Sequence, residues 1–186
     1  MKICCSYILI AIGKGHLNCL IYLHENRLSW KKNTCAYAAQ LGHLDCLKYL
    51  HENRCPWNSG TCTLSAKFGH LDCLKYAHEN GCPWDGYTSG WAANNGQIDC
   101  LKYAHENGCI WNKYTCKWAA QNKHLDCLTY AINNGCPYDR NDKIIMDYVN
   151  NINRKEFIKS LFVFKYAKIK IPKCVIIYLS NKYIKI

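Results

Sequence analysis

The sequence predicts an all-α fold, an α-solenoid of stacked helix pairs. Three observations predict it: a segment that recurs at a fixed interval, glycines that punctuate each interval, and leucines at helical spacing after each glycine. Gly42-His43-Leu44-Asp45-Cys46-Leu47-Lys48-Tyr49 returns unchanged at Gly69 to Tyr76. Weaker copies start at Gly15, Gly96 and Lys123, so that successive copies are 27 residues apart. A period of this length marks units too small to bury their own apolar face, which become stable only by stacking on their neighbours. Function is then to be sought on a repeated surface, because such an array encloses no single pocket.

The opening stretch, Met1 to Ile12, has one lysine before an apolar run, which is the outline of a signal peptide. No small-x-small cleavage site follows, and the register places Ala11-Ile12 one period before Ala38-Ala39. The run therefore reads as the first helix of a degenerate opening unit, as in a chain cut from a longer array. In the next unit Thr34 is the expected N-cap of a short first helix, in which the pair Ala38-Ala39 permits close helix approach. Gly42, with Gly69 and Gly96 in the same place, ends that helix in the left-handed conformation, and Lys123 departs from the rule. A second helix starts at His43 or Leu44. Asp45, Asp72, Asp99 and Asp126 fall in its first turn, where negative charge complements the helix dipole. Leu44, Leu47 and Leu50 form its expected buried stripe.

Glu-Asn-Gly ends the second helix at Gly81 and Gly108, whereas Arg27 and Arg54 hold that position in earlier units. Cys55-Pro56-Trp57 follows, matched by Cys82-Pro83-Trp84, Cys109-Ile110-Trp111 and Cys136-Pro137-Tyr138. One aromatic per unit reads as a plug between helix pairs. A base-stacking ladder is the weaker reading, because it needs exposed rings beside a positive groove, and the loop charges here are mixed.

The formal charge of +11 is uneven. Residues 1–138 carry 13 Lys/Arg against 9 Asp/Glu, and residues 139–186 carry 11 against 4, so the basicity belongs mainly to the tail. These are the two expected domains, a repeat array over 1–138 and a basic helical tail over 139–186. Most of the fifteen cysteines follow the repeat: Cys19, Cys46, Cys73, Cys100 and Cys127 in one column, Cys55, Cys82, Cys109 and Cys136 in another, Cys35, Cys62 and Cys116 in a third. Equivalent residues of stacked helices stand about 10 Å apart, too far for a disulfide. The cysteines are read as small core residues in a reducing compartment, intracellular and cytoplasmic.

Catalysis finds no support. There is no phosphate loop, nucleophile elbow or unique Ser/His/Asp constellation, and every candidate nucleophile is a repeated residue. Neither C-x-x-C nor H-E-x-x-H occurs, so no metal site and no cofactor is expected. His43, His70 and His124, like His24, His51, His78 and His105, recur once per unit and read as helix-end hydrogen-bonding residues. A membrane span is not expected, since Lys165, Lys168, Lys170 and Lys173 interrupt the apolar stretches of the tail.

The run from Ala38 through Gly42-His43 to Asn53 resembles the ankyrin repeat: an alanine pair, two variable residues, Gly-His, then a leucine-rich second helix. The resemblance covers about residues 7–138. It departs in length, since an ankyrin unit has about 33 residues. The missing residues lie between the Trp and the next first helix, too few remaining for a projecting β-hairpin, and the Thr-Pro-Leu-His box is replaced by Thr-Cys-x-x-Ala-Ala. Short units rich in Cys, Pro and Trp are similar to the ankyrin-type arrays of giant DNA viruses of amoebae, which would place a viral protein in the cytoplasm of a host cell. The resemblance implies a non-enzymatic protein-interaction module whose first helices and preceding loops grip another protein. In this sequence that face falls on Gln40, Lys67, Asn94 and Gln121 with loop residues Asn33, Gly60, Tyr87 and Tyr114. These positions differ from unit to unit while the second helix hardly changes. Tyr37, Trp91 and Trp118 share a column with Leu64 and are read as core rather than partner anchors.

In the tail, Ile144, Ile145 and Tyr148, then Phe157, Leu161, Phe162 and Phe164, suggest two further helices, the first a divergent unit, before Pro172 and a last segment from Cys174 to Leu179. They would cap the open end of the array. The rival reading is a nucleic-acid binder acting through Lys155, Lys159, Lys165, Lys168 and Lys170. No residue pattern marks the tail as an F-box.

Overall fold

The protein is described by a computed structural model for residues 7–27, 29–31 and 33–166. Its backbone divides between Tyr138 and Asp139 into two compact units.

The first unit is a double row of short helices. First helices α1 (Ile8–Gly13), α3 (Thr34–Gln40), α5 (Ser59–Phe68), α7 (Gly86–Asn94) and α9 (Thr115–Gln121) alternate with second helices α2 (Leu17–Glu25), α4 (Leu44–Glu52), α6 (Leu71–Glu79), α8 (Ile98–Glu106) and α10 (Leu125–Asn133). Each first helix packs on its own second helix and on the next first helix, and the second helices form a parallel row behind. No strand occurs among the described residues. The α-solenoid expected from the repeat is what the chain forms, and the opening unit takes part with Ile8, Ala11 and Ile12 buried.

Three local expectations are corrected. The buried stripe of the second helix runs through Cys46, Leu47 and Leu50, whereas Leu44 stays half-exposed at the first helical position. Thr34 is the first residue of its helix and not the cap: its hydroxyl donates to the Lys31 carbonyl (2.7 Å) and accepts from the Lys31 amide (2.9 Å). In the next two units the first helix starts earlier, at Asn58 and Asp85, whose side chains accept from the amides of Gly60 and Tyr87. The few residues left between the Trp and the next first helix are thus absorbed into that helix.

The turns keep one backbone conformation whatever the residue. Gly42, Gly69 and Gly96 have φ of 73°, 79° and 71°, and Lys123 adopts 61° in the same place; Arg27 and Arg54 adopt 67° and 62° where Gly81 and Gly108 stand later. Glycine between the helices of a unit has a second cause. A Cβ at Gly42 would run into the His70 ring, and one at Gly69 into the Gln97 amide, because the residue that opens the next second helix lies across the turn. His70 also donates from Nε2 to the Gln40 carbonyl, 3.1 Å away, at the end of the preceding first helix. His70 therefore caps the first helix of the preceding unit and not its own second helix.

Successive units are bolted by a repeated trio. Trp57 stacks on His51 (centroids 3.8 Å apart, planes at 14°), and His51 Nδ1 shares a hydrogen bond with the Tyr76 hydroxyl of the next unit, 2.9 Å away. The trio recurs at His78/Trp84/Tyr103 and His105/Trp111/Tyr130 with stacked rings, and at His24/Trp30/Tyr49 with the His and Trp rings tilted at 37°. This is the tryptophan plug read from the sequence, with the His–Tyr bond as an unforeseen part. Asn53, Asn80, Asn107 and Asn134 close the helix before it, each donating from Nδ2 to the carbonyl of the tyrosine four residues earlier.

Among its described residues the second unit contains one helix, α11 (Lys143–Tyr166), capped by Asp142, whose Oδ1 accepts from the Ile144 amide at 3.1 Å. Two helices were expected here. No Gly or Pro occurs between Lys143 and Tyr166, so no residue there favours the left-handed turn that glycine provides between the helices of most earlier units and Lys123 in one. The segment from Pro172 to Leu179 lies outside the described residues.

Candidate functional site

The two rows of helices differ in charge. Glu25, Asp45, Glu52, Asp72, Glu79, Asp99, Glu106 and Asp126 all lie on second helices. Among the described first helices and their N-caps the one carboxylate is Asp85, which is engaged with the Tyr87 amide at 2.9 Å. The cations on that side, Lys67, Lys113 and Lys117, are not opposed by acidic neighbours on their own row. The first-helix face is therefore electropositive although the array as a whole is nearly balanced.

On this face Gln40, Asn94 and Gln121 end helices α3, α7 and α9, and Lys67 is the last residue but one of α5; Gln40, Lys67 and Asn94 are half-buried and Gln121 is exposed. Of the four residues read as loop, Asn33 and Tyr114 are N-caps, while Gly60 and Tyr87 sit inside the first turns of α5 and α7. Tyr87 (51% exposed), Tyr114 (39%) and Phe68 (43%) present large rings to solvent. The expected column is thus present as a row along neighbouring helices.

Trp91 and Trp118 do not enter the core as expected, while Tyr37 packs against the buried core with part of its surface exposed. Each is half-buried, and the positions beside them that do bury are the small Ala38, Ala92 and Ala119. Close approach of the first helices leaves room for alanine and none for an indole. Trp91 and Trp118 lie 5.5 Å apart at 31°, and Tyr114 continues the contact to Trp118 at 5.5 Å and 30°. The Lys67 ammonium stands over Trp91 at 4.4 Å and over Phe68 at 5.4 Å, and Lys113 stands 4.9 Å over Tyr114. Sequence reasoning missed this aromatic run. Its signal was Gly90, where the same column elsewhere holds Ala36, Thr63 and Lys117: a Cβ there would come within 2.9 Å of the Trp118 ring.

The thiols are packing groups. Cys46, Cys73, Cys100 and Cys127 are buried, and burial, reinforced by the adjacent aspartate, pushes their pKa up to about 11, 11, 12 and 11. The other two columns meet each other, a contact between columns that the spacing within a column does not address. Cys35, Cys62 and Cys116 hydrogen-bond to Cys55, Cys82 and Cys136; this bond and burial raise the thiol pKa of the first member of each pair, and the bond lowers that of the second against the opposing effect of burial. In the unit between, Ser89 replaces the first cysteine and donates to the Ile110 carbonyl at 3.0 Å. No cluster of three or more His, Cys, Asp or Glu that could hold a metal ion occurs among the described residues.

On α11, Lys155 and Lys159 are exposed, and Lys165 lies within the helix. Lys168 and Lys170 lie outside the described residues. No helix among the described residues is long and apolar enough to cross a membrane.

No protein-family profile and no curated protein sequence matches the chain. Its backbone is similar to the crystal structure of the human ASB11 ankyrin repeat domain, with a TM-score of 0.61 and 17% identity over 72% of this chain and 71% of that one. The fold is an ankyrin-like array of helix pairs.

Proposed function

We propose that the protein is a non-enzymatic interaction module that binds another protein across the first-helix face. One observation carries this reading: the second-helix layer is nearly the same in every unit and closed by the His–Trp–Tyr bolts, while residue variation and exposed aromatic area are gathered on the first helices. A face that served only packing would have no need of Tyr87, Tyr114 and Phe68 in solvent. The binding residues are Asn33, Gln40, Gly60, Lys67, Tyr87, Asn94, Tyr114 and Gln121. Buried thiols suit a reducing, cytoplasmic setting, and the short Cys/Trp-rich units keep their resemblance to viral arrays, so that the partner would be a host protein.

The test is affinity capture with the intact chain and with a Lys67→Ala, Tyr87→Ala, Asn94→Ala variant. The variant loses the partner while keeping its helical circular dichroism and its unfolding midpoint. Capture that survives this change but is lost on removing residues 155–170 would assign recognition to the basic tail.

A further inference from the structure

Resting on the reading of the first-helix face as a binding face, we propose that its run of Phe68, Lys67, Trp91, Trp118 and Tyr114 is a docking strip for an extended acidic peptide segment of the partner. The run is continuous. Lys67 bridges Phe68 and Trp91, Trp91 meets Trp118, Trp118 meets Tyr114, and Lys113 covers the far end, every step between 4.4 and 5.5 Å. It crosses three successive units, α5, α7 and α9.

Three features of the strip select the occupant. The first is built-in flatness: Gly90 removes the Cβ that would meet the Trp118 ring at 2.9 Å, so the indole lies against α7 and stays half-buried. The second is charge. Lys67, Lys113 and Lys117 lie along the strip, and the one carboxylate of the first-helix row, Asp85, is already held by the Tyr87 amide. A carboxylate arriving here meets the Lys67 and Lys113 ammonium groups, which already stand over Trp91 at 4.4 Å and Tyr114 at 4.9 Å. The third is spacing. Neighbouring first helices are about 10 Å apart, and an extended chain advances about 3.3 Å per residue, so acidic side chains about three residues apart fall into step with successive units. Apolar residues between them would cover the indoles, the kind of side chain that anchors interfaces.

The ring geometry disfavours single-stranded nucleic acid as the occupant. The aromatic rings touch each other at about 30°, which leaves no slot between them for a base, and the Lys67 ammonium already occupies a face of Trp91.

The probes are a fluorescein-labelled twelve-residue peptide with Glu at every third position and Leu or Pro between, its Glu-to-Gln counterpart, and a labelled oligothymidylate, each titrated by anisotropy at low and moderate salt. The expected result is that the Glu peptide binds at least tenfold more tightly than the Gln peptide and quenches tryptophan emission. Its affinity falls at least tenfold in a Lys67→Gln, Lys113→Gln, Lys117→Gln variant and in Gly90→Ala, and is unchanged in Lys75→Gln, Lys102→Gln on the second-helix row. Equal binding of the Glu and Gln peptides, equal loss in the second-helix variant, or tighter binding of oligothymidylate through the same lysines overturns the proposal. No peptide binding also overturns it. In that case, loss of partner capture by the Lys67, Tyr87, Asn94 variant still keeps the face as a binding face with another occupant, and undiminished capture removes both readings.

Discussion

The imidazole of His51 is 2.9 Å from the hydroxyl of Tyr76, one unit further along the chain, and lies flat against Trp57 at 3.8 Å. The bond joins the end of one second helix to the middle of the next and is repeated at every junction from His24/Tyr49 to His105/Tyr130. In an array without long-range contacts, stability is a sum of unit and junction terms, so the trio sets how far unfolding at one unit spreads to the next.

Removing the hydroxyl in Tyr76→Phe is expected to cost about 0.5–1.5 kcal/mol, the usual net worth of one hydrogen bond. Urea unfolding of the single variants and of the double variant with His51→Ala measures it. The double variant should cost less than the sum of the singles, because the two residues form one contact. Strict additivity would mean that the contact does not bear on stability.

Leu74 is fully buried in α6, whereas Gln121 is exposed at the end of α9. Leu74→Ala should cost about 2–5 kcal/mol as a core cavity. Gln121→Ala should stay within about 0.5 kcal/mol. Denaturant midpoints decide this, and similar losses at both sites would contradict the division into frame and surface.

Gly69 and Lys123 hold the same left-handed turn position, at φ 79° and 61°. Gly69→Ala should therefore destabilise the protein, both through backbone strain and by pushing the Gln97 amide aside. Lys123→Gly should stabilise it by about 1 kcal/mol by relieving the left-handed penalty. Thermal midpoints moving in opposite directions are the expected result.

These turns show how much of the molecule was legible in the sequence. The period, the alanine pairs and the glycines were enough for the helix-pair array, because each is the direct trace of one backbone constraint. The His–Tyr bond was also written there, in the constant 25-residue offset between the two residues, but offsets between columns carry meaning only once the stacking distance is known. The N-caps at Asn58 and Asp85 were hidden because a short loop and an early helix start use the same residues. For the candidate face, the column from Gln40 to Gln121 could be read from variation. The half-buried placing of Trp91 and Trp118 could not, since a helical pattern does not tell an indole facing the core from one lying across a neighbouring glycine. The single α11 was misjudged because two apolar clusters looked like two helices, and the absence of a turn residue between them was the better signal.

Burial raises the thiols of Cys46, Cys73, Cys100 and Cys127 to about 11, 11, 12 and 11. The unfolded chain, with thiols near 8.5, loses its protons first. Stability from these groups is thus complete below about pH 8.5 and declines as pH rises toward 11. Urea midpoints at pH 7, 8.5 and 10 should fall in that order. At pH 8 a thiol reagent should label these cysteines slowly in the folded protein and fully in urea.

The most direct test of the account is hydrogen–deuterium exchange of the protein with and without its captured partner. Protection is expected in peptides covering α5, α7 and α9, residues 59–68, 86–94 and 115–121, with the second helices unchanged. Protection confined to residues 143–166, with the first helices exchanging as in the free protein, would contradict it.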